Sequence, residues 1–97
     1  MSYITEDSHK FVHLTTAATT TVKSGAGMLK RVVINLGTGT LITMYDNTAA
    51  SGTVIGIINP PATNTFVEPR AVEYDINFST GLTIVTTGTW DLTIVYT

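Results

Sequence analysis

VEYDINFSTGLTIVTTGTWDLTIVY, residues 72–96, is the stretch that decides the fold class. Val72, Tyr74, Ile76 and Phe78 are apolar, and Glu73, Asp75 and Asn77 between them are polar. A period of two marks a strand with one dry face and one wet face. Ser79-Thr80-Gly81 ends that run, and Leu82, Ile84 and Thr86 follow, with Thr83 and Val85 facing the other way. Thr87-Gly88-Thr89 breaks the pattern again before Trp90, Leu92, Ile94 and Tyr96, which alternate with Asp91, Thr93 and Val95. Three strands joined by two short Gly-bearing turns read as a β-meander. The same stretch carries the only Trp and two of the four Tyr. Trp90, Tyr74 and Tyr96 all take the apolar parity, which points to core packing rather than a sugar-stacking platform.

Upstream, residues 28–36 (MLKRVVINL) place Val32, Ile34 and Leu36 on one face, with Val33 opposite. Residues 40–45 (TLITMY) follow after Gly37-Thr38-Gly39, so 28–45 reads as a hairpin. Residues 9–16 (HKFVHLTT) form a strand, Ala17-Ala18 a bend, and residues 19–23 continue extended to the turn Ser24-Gly25-Ala26-Gly27. Residues 46–52 are a loop whose Asp46 and Asn47 bond their own backbone and whose Gly52 supplies positive φ. Residues 53–58 (TVIGII) are an apolar strand in which Gly56 signals a bulge or a close backbone approach. Pro60 and Pro61 stop sheet pairing in the 59–64 loop. About eight strands and no helix predict an all-β protein, an antiparallel β-sandwich or jelly roll. Residues 9–97 make one such domain, and residues 1–8 a flexible N-terminal arm.

Composition narrows function mainly by exclusion. Of 97 residues 20 are Thr and only 12% are charged, with a net charge of −2 and no Cys. Five basic residues, of which only Lys30 and Arg31 are adjacent, do not make a nucleic-acid surface, and neighbours on a strand face opposite ways. Residues 1–8 lack the basic start and apolar run of a signal peptide, and nothing reaches the length of a membrane helix. His9 and His13 share a strand face but lie roughly 13 Å apart, too far to share a metal. Glu73 and Asp75 sit about 7 Å apart on the wet face, a spacing that overlaps an acid/base pair but reads first as a solvated strand face. No serine carries a G-x-S-x-G context and no phosphate-binding Gly motif is present. The chain reads as a non-enzyme with no catalytic residues, no metal and no cofactor, and with neither nucleic acid nor membrane as a partner.

The segments LTTAATTTVKSGAGMLKRVVINLGT, TMYDNTAASGTVIGIINP and VEYDINFSTGLTIVTTGTWDLTIVY resemble small virion proteins of tailed bacteriophages and prophages. The likeness spans about residues 14–96. It rests on the SGAG turn before a basic-apolar strand, the YDNTAASGT loop, and an FSTGLTIV hairpin near the end. These are structural motifs and they carry over no functional residue. The resemblance implies a capsid decoration (cement) protein on the virion surface. Its partner would be the major capsid protein, and it would act as a homo-oligomer, a trimer being favoured. The alternative it leaves is a tail- or fibre-associated module that binds a host receptor or glycan. Exposure and composition nominate Tyr3, Ile4, Tyr45, Asp46, Asn47, Pro60, Pro61 and Phe66 as protein-contact residues.

Overall fold

The protein is represented by a computed structural model that describes residues 9–37, 40–59 and 70–97. The described residues form eight strands: β1 (Lys10–Leu14), β2 (Thr19–Ser24), β3 (Gly27–Gly37), β4 (Leu41–Asp46), β5 (Thr53–Ile58), β6 (Arg70–Phe78), β7 (Gly81–Thr87) and β8 (Trp90–Tyr96). They build two antiparallel four-stranded sheets, ordered β1-β8-β3-β6 and β2-β7-β4-β5. The first strand pairs with the last, the second with the seventh, the third with the sixth and the fourth with the fifth. The chain is thus folded in half and then wrapped, so that β8 also meets β3 and β7 also meets β4. That order is the jelly roll, the narrower of the two architectures expected.

This topology corrects three readings. β6, β7 and β8 are not a meander, because β7 lies in the sheet opposite β6 and β8. β3 and β4 are not a hairpin for the same reason, and the SGAG and FSTG turns cross between sheets rather than reversing within one. Among the described strands, only β4 and β5 are consecutive and paired. A short Gly-bearing turn serves a sheet crossing as well as a hairpin, and local sequence does not distinguish them. Gly25 and Gly88 adopt positive φ (106° and 91°) at two of the crossings. The two turns at one end also bond each other, with Gly25 N–H donating to Thr80 O at 2.9 Å.

The strand alternation sets the core. Leu29, Val32 and Ile34 of β3, Leu92 and Ile94 of β8, Ile42 and Met44 of β4, and Leu82 and Ile84 of β7 are buried between the sheets with Phe78 and Trp90. Tyr74 and Tyr96 pack against this cluster. Trp90 lies against Gly37 and donates its indole N–H to Thr87 O at 2.9 Å, so its one polar atom is satisfied. Gly56 is the close approach expected of it, because Tyr74 from the opposite sheet lies over its backbone. Burial raises the pKa of that tyrosine.

β3 departs from simple alternation twice. Its pairing with β8 slips between Leu29 and Arg31 and again between Ile34 and Leu36. The second slip turns Leu36 outward, where it is 65% exposed, against the expectation that it faces inward with Val32 and Ile34. The first lets both neighbouring cations reach β6. Lys30 pairs with Asp75 at 3.4 Å and Arg31 with Glu73 at 3.2 Å, so the two do not diverge as a regular strand would require.

Thr86, 5% exposed, holds the crossing from β1 to β2. Its hydroxyl accepts from Ala18 N–H and donates to Thr16 O, each at 3.1 Å. Thr86→Val keeps the shape but leaves those groups unpaired, and should cost about 1–3 kcal/mol in urea unfolding. Leu92→Ala, which removes packing at the centre of the first sheet, should cost about 2–5 kcal/mol. In Gly56→Ala the new methyl would lie 2.7 Å from the Tyr74 hydroxyl. That overpacking should cost about 1–3 kcal/mol by the same assay.

Candidate protein-contact surface

Cross-strand partners share a face, so the register assigns every outward side chain of the second sheet. Ile42 and Met44 face the core with their partners Ile58, Gly56, Thr86 and Ile84. Thr43, Tyr45 and Leu41 therefore face away. The outer surface has one row of Thr21, Thr83, Tyr45 and Val54, and a second of Thr19, Val85, Thr43 and Ile57, with Thr87 and Leu41 beyond. None of these residues is charged. Val54 and Ile57 are 44% and 55% exposed.

The first sheet is the opposite case. Its strands hold Lys10, Lys30, Arg31, Arg70, Glu73, Asp75 and Asp91. The second sheet holds only Lys23 and Asp46, and both are turned to structural use. Lys23 Nζ donates to Thr97 O at 3.1 Å. Asp46 sits at the end of β4 and gathers the backbone of the β6–β7 crossing. Its Oδ1 accepts from Thr80 N–H at 2.8 Å, and its Oδ2 accepts from Ser79 N–H at 3.0 Å. Those bonds, Thr80 first, hold its carboxyl below the ordinary carboxylate value.

Asn47 shapes the loop that follows, as the sequence predicts for Asx residues in turns. Its Oδ1 accepts from Thr48 N–H and its Nδ2 donates to Ser51 O, both at 2.8 Å. Gly52 takes positive φ, 90°. The loop lies over one end of the uncharged face. Thr83 donates to Asn47 O at 2.8 Å and Thr21 donates to Thr48 O at 3.2 Å. Thr83 is fully buried although it points away from the core.

Three of the eight nominated contact residues therefore fall on described structure. Tyr45 lies on the uncharged face, Asp46 ends β4 and caps the β6–β7 crossing, and Asn47 braces the loop that follows. Tyr3, Ile4, Pro60, Pro61 and Phe66 lie outside the described residues. The face also contains Val54, Ile57, Val85 and Thr19, which the sequence reading did not nominate, while Thr43 on the same face is only 8% exposed. The available signal was charge counted strand by strand, because 19–21, 41–45, 53–58 and 81–87 contain no charged residue.

On the first sheet, His13, Asn35 and Asp91 bond one another, and Glu73 and Asp75 meet basic partners. His13 Nε2 lies 2.5 Å from Asp91 Oδ1, and Asn35 donates to the same oxygen at 3.1 Å. The His13 bond, then that of Asn35, lowers the Asp91 pKa. Glu73 and Asp75 face Arg31 and Lys30 rather than one another's proton. No group of three or more metal-ligating side chains occurs among the described residues. An open cleft of about 500 Å³ is lined by Ala26, Gly27, Asp46, Asn77, Phe78 and Ser79. Its one carboxylate is already occupied by the turn it caps.

Asp46 makes the fold pH-sensitive with a definite sign. Its pKa is lower folded than unfolded, so its ionised form stabilises the fold above the ordinary carboxylate pKa of 3.8. That contribution is lost as pH falls from there through the lower folded value. Asp46→Ala should melt below the wild type at pH 7, and the gap should narrow in acid. A melting-temperature series against pH checks both.

Compared with protein-family models, curated proteins and solved structures, the chain matches none, so its fold and surface chemistry carry the functional reading.

Proposed function

We propose that the protein is a non-enzymatic virion structural protein of a tailed bacteriophage. It binds the outer surface of the capsid and reinforces contacts between capsomers, with the major capsid protein as its partner. The observation that supports this reading is the uncharged Thr and aliphatic outer face of β2-β7-β4-β5. Covering such a face strips no ion of its water, and that desolvation is what usually makes polar surfaces costly to bury. The resemblance of residues 14–96 to small virion proteins supplies the class of partner.

Size suits the same role. Four strands about 4.8 Å apart and roughly 20 Å long present on the order of 400 Å². A standard interface uses about 800 Å² per partner. A single such contact is weak, and a repetitive lattice is where many weak copies become useful.

The test mixes purified protein with undecorated capsids and measures co-sedimentation. The expected result is saturation at a copy number related to the capsid symmetry. Thr19→Lys, an exposed change on the uncharged face and far from β5, should weaken binding roughly tenfold or more without lowering the melting temperature. Unchanged binding of that variant would remove the face from the interface. A protein that ignores capsids and binds host cells would move the reading to the tail or fibre module with a receptor or glycan partner.

A further inference from the structure

The two sheets end in four edge strands, β1 and β6 in the first and β2 and β5 in the second. Folded proteins guard such edges with charges, prolines and bulges, because an open edge offers unpaired N–H and C=O groups to any other strand. β1 carries Lys10 and His13. β2 carries Lys23. β6 carries Arg70, Glu73 and Asp75, with Asp75 at a positive φ of 50° that bends the strand. β5, TVIGII, carries no charge. Among the described residues it pairs with β4 alone. Its outward side chains Val54 and Ile57 are exposed, and they continue the uncharged face to the sheet's rim.

We propose that β5 is a self-association edge, which pairs antiparallel with β5 of a second copy of this chain about a twofold axis. The occupant follows from matching. The partner must itself be an extended segment with an open, uncharged edge, and among the described strands only β5 qualifies. Two β5 edges are self-complementary, as a twofold contact requires. Joined in this way, the two sheets become one eight-stranded sheet whose outer face stays free of charge from end to end, so no like charges meet. A threefold ring, the assembly expected from the resemblance to virion proteins, instead needs two different patches that fit each other. The proposal does not depend on the capsid reading, since it concerns the protein alone.

The contact is small. Six residues span about 20 Å of edge, and pairing along one edge buries well under the roughly 800 Å² per partner of a stable complex. The pairing shift between Met44 and Tyr45, which makes Ile55 a bulge, shortens the regular ladder further. Association is therefore weak and concentration-dependent, and it strengthens when two copies are held side by side on one surface.

Sedimentation velocity of the whole chain from about 1 μM to about 1 mM tests the proposal. The expected result is a monomer at the low end and a growing dimer population at the high end. The β5 amides should exchange more slowly with deuterium at high concentration, while those of the β2 edge do not change. The double variant Val54→Lys/Ile57→Lys places the usual edge-guarding charge on two exposed positions. It should stay monomeric throughout and keep the wild-type melting temperature. A single-site control, Thr19→Lys on the other edge of the same sheet, should associate as the wild type does. A wild type that remains monomeric to the highest concentration would overturn the proposal. So would a dimer that survives the double variant, or one whose slowed exchange lies outside β5.

Discussion

Strands β7 and β8 are each bonded on both sides by strands from the first half of the chain, and neither sheet exists without them. β8 lies between β1 and β3, and β7 lies between β2 and β4. Their inner residues, Leu82, Ile84, Leu92 and Ile94, form the middle of the core, and Trp90 closes one end. Pairing of this kind joins residues remote in sequence, so its stability cannot be divided among local hairpins. The polar contacts serve the same closure. Thr86 fastens the β1–β2 crossing to β7, Asp46 fastens the end of β4 to the β6–β7 crossing, and Lys23 reaches Thr97 just past β8. Each spans at least 33 positions of sequence.

This dependence separates what the sequence makes legible from what it does not. Strand identity and face come from side-chain alternation, a local property. Val72 to Phe78 and Trp90 to Tyr96 therefore read correctly as strands, and the burial of Trp90, Leu92 and Ile94 follows, but Ile76, beside the positive φ of Asp75, is 40% exposed rather than on the dry face expected of it. Sheet membership is nonlocal. The turns at Ser24–Gly27 and Ser79–Gly81 look like hairpin turns, yet both cross between sheets, because Gly and Ser permit either path. Leu36 shows a second limit. Its parity matches Ile34, but a pairing slip at Asn35 turns it outward, and nothing in the residues 34–36 themselves announces a bulge. Asn47 was legible as a loop-former from residue type alone, whereas Asp46 ends β4 and spends its carboxylate on another turn rather than on its own loop. The turn that Asp46 caps lies more than 30 positions away, and it became visible only once the chain had folded.

Charge segregation is the property that links fold to surface. The alternation that buries one side of each strand leaves the other side to be chosen, and the two sheets differ in that choice. The outward side of the first sheet pairs its ions locally, Arg31 with Glu73 and His13 with Asp91. The outward side of the second is Thr, Val, Ile, Leu and Tyr. Threonine there satisfies strand propensity without adding charge, and Thr21 and Thr83 give their hydroxyls to the 46–52 loop. A low total of charged residues would be unremarkable in itself. Seven of the nine charged residues in the described strands lie in the first sheet, which leaves the outward face of the second without charge.

The most direct test of that account is hydroxyl-radical footprinting of the protein bound to undecorated capsids against the protein alone. Tyr45, Val54 and Ile57 report on the uncharged face. Phe11 and Leu36, 69% and 65% exposed, report on the first sheet. The account predicts strong protection of the first three on binding, with Phe11 and Leu36 oxidised as in the free protein. Protection of Phe11 and Leu36, with Tyr45, Val54 and Ile57 unchanged, would contradict it and place the contact on the charged sheet.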